Sequence, residues 1–259
     1  MTFTYETDIG FLSSVGQHNI LLRCLPAECE FQHVTDCRFT ISEGFWHSQA
    51  KDSFGNNIII GGTSERHRSL YYKCEGRVEH TVYCIPDASP DAMYSYPSPM
   101  TELSDADYAA FIVGSDAFVA GSADGKQFLE CCISIMHGVH SFLKYEPGVT
   151  DVGTKVVQLM MNRKGVCQDF AHLMIAVCRR KGMMARYVCG LMQGEGVTHA
   201  WVEVHDGQCW YAFDPTNDTA IAHGYIKIAH GRDACDCPVS RGMFTGNTIS
   251  TTDIKVVVN

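Results

Sequence analysis

The sequence predicts an α+β protein in which an antiparallel β domain precedes a core of helices and antiparallel strands. Three observations predict it: a β-rich first third, a cluster of prolines behind it, and a change to helical periodicity that later gives way to alternating strands. Residues 1–85 hold runs of β-formers such as Asn19-Ile-Leu-Leu-Arg-Cys-Leu25 and Asn57-Ile-Ile-Ile60, divided by turn clusters such as Lys51-Asp-Ser-Phe-Gly-Asn-Asn57 and Gly61-Gly-Thr-Ser64. Pro86, Pro90, Pro97 and Pro99, four of the eight prolines, then fall within fourteen residues. They remove backbone donors and disfavour both helix and central strand, so residues 86–103 are expected to be a linker. Residues 104–259 are expected to form the core.

In that core Ser104 is a candidate N-cap for a short helix over Asp105 to Val113. Phe128, Leu129, Cys132, Ile133, Met136, Val139 and Leu143 recur at spacings of three and four and mark one buried helical face. A further helix is expected from about Cys167 to Lys181, with Phe170, Leu173, Met174 and Val177 on one stripe. Basic residues fill its last turn, and Gly182 stops it. Strands dominate from Ala185 to Asp214.

Composition narrows the function. Twenty Lys and Arg stand against 29 Asp and Glu, a net charge of −9, which excludes a general nucleic-acid binder with its basic stripe. With 46% hydrophobic and 19% charged residues the chain is globular rather than disordered. No apolar run approaches the ~18 residues of a membrane span, and the start Met1-Thr-Phe-Thr-Tyr-Glu lacks a basic leader, so a cytoplasmic, membrane-free protein is expected. Thirteen cysteines cannot all pair within the chain and are expected as free thiols, mostly small buried fillers.

Cys167 stands apart from that background. At a helix start, with Arg163 and Lys164 close by, unpaired N–H groups and the helix dipole favour thiolate over thiol, and Gly165 allows a tight backbone entry. A nucleophile and a buried cysteine at a helix start both fit this local pattern. Downstream, Thr198-His-Ala-Trp-Val-Glu-Val-His205 and Gln208-Cys-Trp-Tyr-Ala-Phe-Asp214 flank Asp206-Gly207, the signature of a two-residue hairpin. With Asp206 and Gly207 as the loop, His199 falls directly opposite Asp214, their Cβ atoms roughly 4.5–5.5 Å apart. The other face carries Ala200, Val202 and Val204 against Phe213, Tyr211 and Cys209. A carboxylate beside a histidine fixes its tautomer, so that the free ring nitrogen can take a proton from a thiol and return one to a leaving group. Cys167, His199 and Asp214 therefore read as a triad, with a cross-strand surface pair as the alternative for the last two.

Gly165-Val-Cys-Gln-Asp-Phe-Ala-His172, His199-Ala-Trp-Val-Glu-Val204 and Trp210-Tyr-Ala-Phe-Asp-Pro-Thr-Asn217 resemble, in order and spacing, the three motifs of the bacterial transglutaminase-like cysteine proteins. Asp52-Ser-Phe-Gly-Asn56 and the β-rich start resemble the β domain that accompanies that core, and Gly231-Arg-Asp233, Pro238 and Arg241-Gly242 resemble its C-terminal signature. The resemblance implies a papain-like α/β core with an antiparallel sheet and acyl transfer through a thioester. Its substrate would be a peptide or protein amide. The Cys167 backbone N–H would be one oxyanion donor and Tyr145 a candidate second; Gln168 and Trp201 would support the site. Ala234-Cys-Asp-Cys-Pro238 departs from the family pattern. Cys235 and Cys237 could clamp a metal with His230 or form a redox pair, but solvent-side thiols are the default, as partly exposed helix positions are for His137 and His140.

The resulting expectation is a cysteine peptidase or amidase that needs no metal or cofactor, calcium included, since no EF-hand-like loop is present. A protein-glutamine transamidase and a non-catalytic scaffold that keeps the fold are the alternatives. Oligomeric state is not encoded in any motif.

Overall fold

Two antiparallel sheets form the first layer, built by strands whose buried positions alternate with period two. A computed structural model of the chain describes residues 1–114 and 125–259. The first layer uses β1 (Thr2–Val15), β2 (His18–Leu22), β3 (Gln32–Ile41), β4 (Trp46–Lys51), β5 (Asn57–Thr63) and β6 (His67–His80). In β1 the side chains of Phe3, Tyr5 and Thr7 turn inward, and in β6 those of Leu70, Tyr72 and Cys74 do the same. That alternation is what one covered sheet face requires.

The expected linker is not loose. It contributes β7 (Ile85–Pro86) to the edge of the core sheet and a 3-10 turn at Ala92–Ser95. Arg179 fastens it to the core: its guanidinium is buried and donates to the Tyr94 carbonyl at 3.1 Å and to Thr101 Oγ1 at 2.8 Å. One residue of the basic last helical turn is thus an internal anchor.

The core has four helices among the described residues: α1 (Asp105–Gly114), α2 (Gly125–Phe142), α3 (Val156–Asn162) and α4 (Cys167–Arg180). Ser104 caps α1 by accepting the Asp107 N–H at 3.1 Å, as its sequence position predicts. On α4, Phe170, Leu173, Met174 and Val177 are all buried. Each such side chain contributes roughly 1.5–3 kcal/mol before the entropy of ordering it is counted. Gly182 ends α4 with φ +78°, as a C-terminal glycine does.

The remaining strands are β8 (Lys144–Tyr145), β9 (Lys164–Gly165), β10 (Met184–Met192), β11 (Gly194–Gly196), β12 (His199–His205), β13 (Cys209–Asp214), β14 (Thr219–Ala220), β15 (Tyr225–Gly231), β16 (Ser240–Phe244) and β17 (Ser250–Val258). The core sheet runs β14-β13-β12-β10-β15, with α4 against β10 and β12 and α2 against α4. Strands β16 and β17 return to the first layer, where they pair with β2 and β1; β11 pairs with β17. Mixed α and β structure with mostly antiparallel sheets is the class the sequence predicts.

The two layers meet at the turn Asp52–Asn56. Asp52 accepts the Phe54 and Asn56 N–H groups and pairs with Arg23 at 3.0 Å. The buried Asn56 amide then acts as a strand partner for β15, donating to the His230 carbonyl at 2.8 Å and accepting its N–H at 2.9 Å. Asn56→Ala removes both bonds and leaves the His230 backbone polar groups without their partner. We expect a loss of about 2 kcal/mol in urea unfolding with an unchanged m-value, and an unaltered midpoint would contradict this docking role.

Candidate active site

Three element ends converge here: Cys167 opens α4, His199 opens β12 and Asp214 closes β13. The hairpin between the last two differs from the sequence expectation in register. Asp206 accepts the Gln208 and Cys209 N–H groups on its carboxylate and donates its own N–H to the Cys209 carbonyl. Gly207, at φ +105°, and Gln208 are therefore the loop residues, one position beyond the expected pair. Observed pairs are Val202 with Phe213 and His205 with Trp210, so Asp214 lies diagonal to His199 and not directly across. Moving the loop by one residue moves each pairing by two, which leaves every side chain on its expected face. The long carboxylate-to-ring reach closes the diagonal: His199 Nε2 and Asp214 Oδ2 are 2.7 Å apart.

Asp214 has no solvent exposure. Its Oδ2 also accepts the Tyr225 hydroxyl and the Asn217 amide, each at 2.7 Å, and its Oδ1 accepts the backbone N–H groups of Thr216 and Asn217. Burial alone would raise this carboxyl, but the imidazole, Tyr225 and Asn217 overturn that and hold it below the usual carboxylate range. Neither Tyr225 nor Asn217 is identified by the sequence reading, although Asn217 lies in a quoted motif. Two helix histidines hold the intervening turn. His137 pairs with Asp218 and His140 Nδ1 lies 3.2 Å from the Pro215 carbonyl. The acidic partner absent near His137 in sequence comes from across the fold.

Nε2 faces Asp214, which leaves Nδ1 as the ring nitrogen the carboxylate does not engage, and the Cys167 thiol is near enough to the ring to help raise it. Burial pushes His199 down, yet Asp214 and Cys167 together carry it up to about 10, so the imidazolium is the favoured form. Behind the ring, Trp201 stacks at 6.5 Å between centroids and donates its indole N–H to the Tyr83 hydroxyl. Gly190 lies opposite His199 in β10, where a Cβ would strike the Trp201 ring and the Ile226 carbonyl.

The entry to α4 is equally specific. Asp169, at the third position of the helix, accepts the Val166 N–H at 2.8 Å and the Thr150 hydroxyl at 2.6 Å. Its carboxylate sits so close over Gly165 that a Cβ there would lie 2.5 Å from Oδ2, which is why this entry needs glycine. Cys167 and Gln168 are the first two helical residues, so their N–H groups have no intrahelical acceptor. The Gln168 side chain turns away, its amide 3.5 Å from the Val152 carbonyl. Tyr145, on β8 beside Gly165, is half exposed, and its phenol is raised by partial burial and by Cys167.

Cys235 is exposed, but Cys237 is buried against Gly231 and is not the solvent-side thiol expected. Among the described residues no group of three or more His, Cys, Asp or Glu side chains is arranged to hold a metal ion.

The model of the Transglutaminase-like superfamily matches residues 119–215, a span that takes in Cys167, His199 and Asp214. An uncharacterized protein of Mycobacterium tuberculosis strain H37Rv is 36% identical over 248 residues, covering 82% of this chain and 76% of its own. The chain belongs to the transglutaminase-like superfamily. An uncharacterized Mycobacterium leprae protein is 38% identical over 128 residues, 46% of this chain; the match spans 45% of that protein's length. The crystal structure of a Cytophaga hutchinsonii protein described as a candidate cysteine protease superposes with a TM-score of 0.76 at 22% identity, over 99% of this chain and 90% of that one. That likeness places this transglutaminase-like chain in the same fold.

The raised His199 makes a pH statement about stability. A group whose folded pKa exceeds its unfolded one stabilises fully below the ordinary imidazole value and loses that contribution as pH rises through about 10. His199→Gln is therefore expected to flatten the fall in thermal midpoint on the alkaline side relative to the unmodified protein. Parallel pH profiles for the two would contradict the pairing.

Proposed function

We propose that this transglutaminase-like protein is a cysteine-dependent amide-bond hydrolase, a peptidase or amidase with Cys167 as nucleophile, His199 as proton carrier and Asp214 as its orienting anion. The observation that carries this reading is the His199 ring held at 2.7 Å by a fully buried carboxylate, with the Cys167 thiol near enough to help raise the imidazole. An imidazolium favoured to about 10 is the partner a thiolate needs. In this reading the thiolate attacks the amide carbonyl, and the oxyanion takes a hydrogen bond from the Cys167 N–H with Tyr145 as second donor. The imidazolium protonates the departing amine. The neutral ring then draws a proton from water, which opens the thioester to the free acid and restores the ion pair.

Half-exposed Tyr145 and the partly accessible Cys167 leave the thioester open to water, which supports hydrolysis over transfer to a bound amine. All thirteen cysteines are unpaired, which supports a reducing, cytoplasmic setting. Among the described residues no helix is long and apolar enough to cross a membrane. A peptide or protein amide is the substrate class we assign.

The test is trapping with a panel of electrophilic peptides, read by mass spectrometry on the intact protein. We expect one adduct, on Cys167, formed roughly a hundredfold more slowly in His199→Ala and lost in Cys167→Ser. Asp214→Asn should slow the same adduct while leaving the thiol in place. Labelling spread over the other cysteines, or a rate indifferent to His199, would sink the proposal. A separate iodoacetamide series over pH should show Cys167 reacting at lower pH in the unmodified protein than in His199→Ala; coincident profiles would count against the ion pair.

A further inference from the structure

On the face of the core sheet that carries His199 and Asp214, a second polar cluster lies toward the other end. Glu203 is fully buried and accepts from Arg186 Nε, from Lys227 Nζ at 2.7 and 2.8 Å, and from the Tyr83 hydroxyl at 2.6 Å. Burial would raise Glu203, but the two cations hold it well below the usual carboxylate range. Arg186 and Lys227 of this cluster line a cavity of about 180 Å³ between the Asp52–Asn56 turn, β7 and the core sheet. The space far exceeds the ~10–15 Å³ that one water requires.

The groups free to act on that cavity are donors. Arg186 is 6% exposed and uses only Nε on Glu203; its guanidinium carbon lies 4.0 Å over the Trp210 ring, and its two Nη groups have no hydrogen-bond partner among the described residues. Lys227 is 2% exposed and retains one ammonium hydrogen beyond its two bonds to Glu203. The His230 ring lines the same wall, kept neutral by burial and by both cations. The carboxylates at the cavity are already engaged. Asp87 accepts the Trp210 indole N–H and the Ser89 N–H, and Glu28 accepts from His33 and the Val34 N–H. An almost fully buried guanidinium with a free Nη edge is built to receive two oxygens of one acceptor.

We infer that this cavity is a binding site for a small oxyanion, carboxylate or phosphate, held by the Arg186 Nη edge with Lys227 and His230 beside it. The site is separate from the triad and does not depend on the chemistry proposed there. It is linked to that end of the sheet through Glu203, Tyr83 and Trp201.

The test is an NMR titration of the full-length protein with inorganic phosphate in one arm and acetate in the other, at constant ionic strength. It follows the indole N–H signals of the three tryptophans. Trp210 is expected to shift saturably below ~50 mM of at least one anion, while exposed Trp46 stays still. The arm that saturates identifies phosphate or carboxylate as the ligand class. Arg186→Lys keeps the charge but loses the fork and should weaken that binding at least tenfold. If it fails to fold, His230→Gln, which removes a wall group outside the ion cluster, should weaken it severalfold. A Trp210 signal that does not saturate with either anion, or unchanged affinity in a folded variant, overturns the assignment.

Discussion

Taking a carboxylate out of water costs several kcal/mol unless the protein replaces its hydration, and Asp214 is a carboxylate with no access to water at all. Five donors replace that hydration: the imidazole, a phenol, a side-chain amide and two backbone N–H groups. Much of the surrounding structure follows from supplying them. Pro215 and the turn behind it aim two N–H groups back at the carboxylate, His137 and His140 fix that turn from α2, and β15 delivers Tyr225. Trp201 can lie flat behind the imidazole only because residue 190 has no side chain. The histidine is placed by an anion that is itself placed by parts of four elements.

Much of this was legible in the sequence, and what was not has identifiable causes. The stripe Phe170, Leu173, Met174 and Val177 specified α4 because a helix with one apolar face has one way to bury it. The hairpin's two faces were legible because hydrophobic alternation survives any slip by two. Its register was not, since the dipeptide Asp206-Gly207 does not reveal that Asp206 will spend its carboxylate closing the turn. Helix α3 has only seven residues, fewer than periodicity needs to declare itself. Tyr225 and Asn217 were hidden for another reason: their role exists only relative to Asp214, and contacts across the fold leave no local pattern. Asp169 shows the same blindness at short range, where Gly165 read as freedom to turn but is in fact room for a carboxylate.

The core sheet divides its labour by face. The side toward α4 is hydrocarbon, with Ala200, Val202, Val204 and Phe213 buried under the helix stripe. The opposite side is a polar array running from His199 and Asp214 through Trp201 and Tyr83 to Glu203, Arg186 and Lys227. Its charged members are tied to one another through Glu203, which offsets part of the cost of burying them. Hydrophobic packing holds the sheet in place, and the polar side uses the rigidity that packing provides.

The short strand β11 ends at Gly196, three residues before the imidazole, yet it hydrogen-bonds to β17, which is paired in turn along β1. The backbone that carries His199 is thus spliced into the opposite layer immediately before it enters its own. Shear or loosening of the N-terminal sheet would be felt first at the ring's point of attachment, well before it reached the hydrocarbon side of the core. A C-terminal half severed from residues 1–85 would keep β17 but lose β1, the strand that braces it.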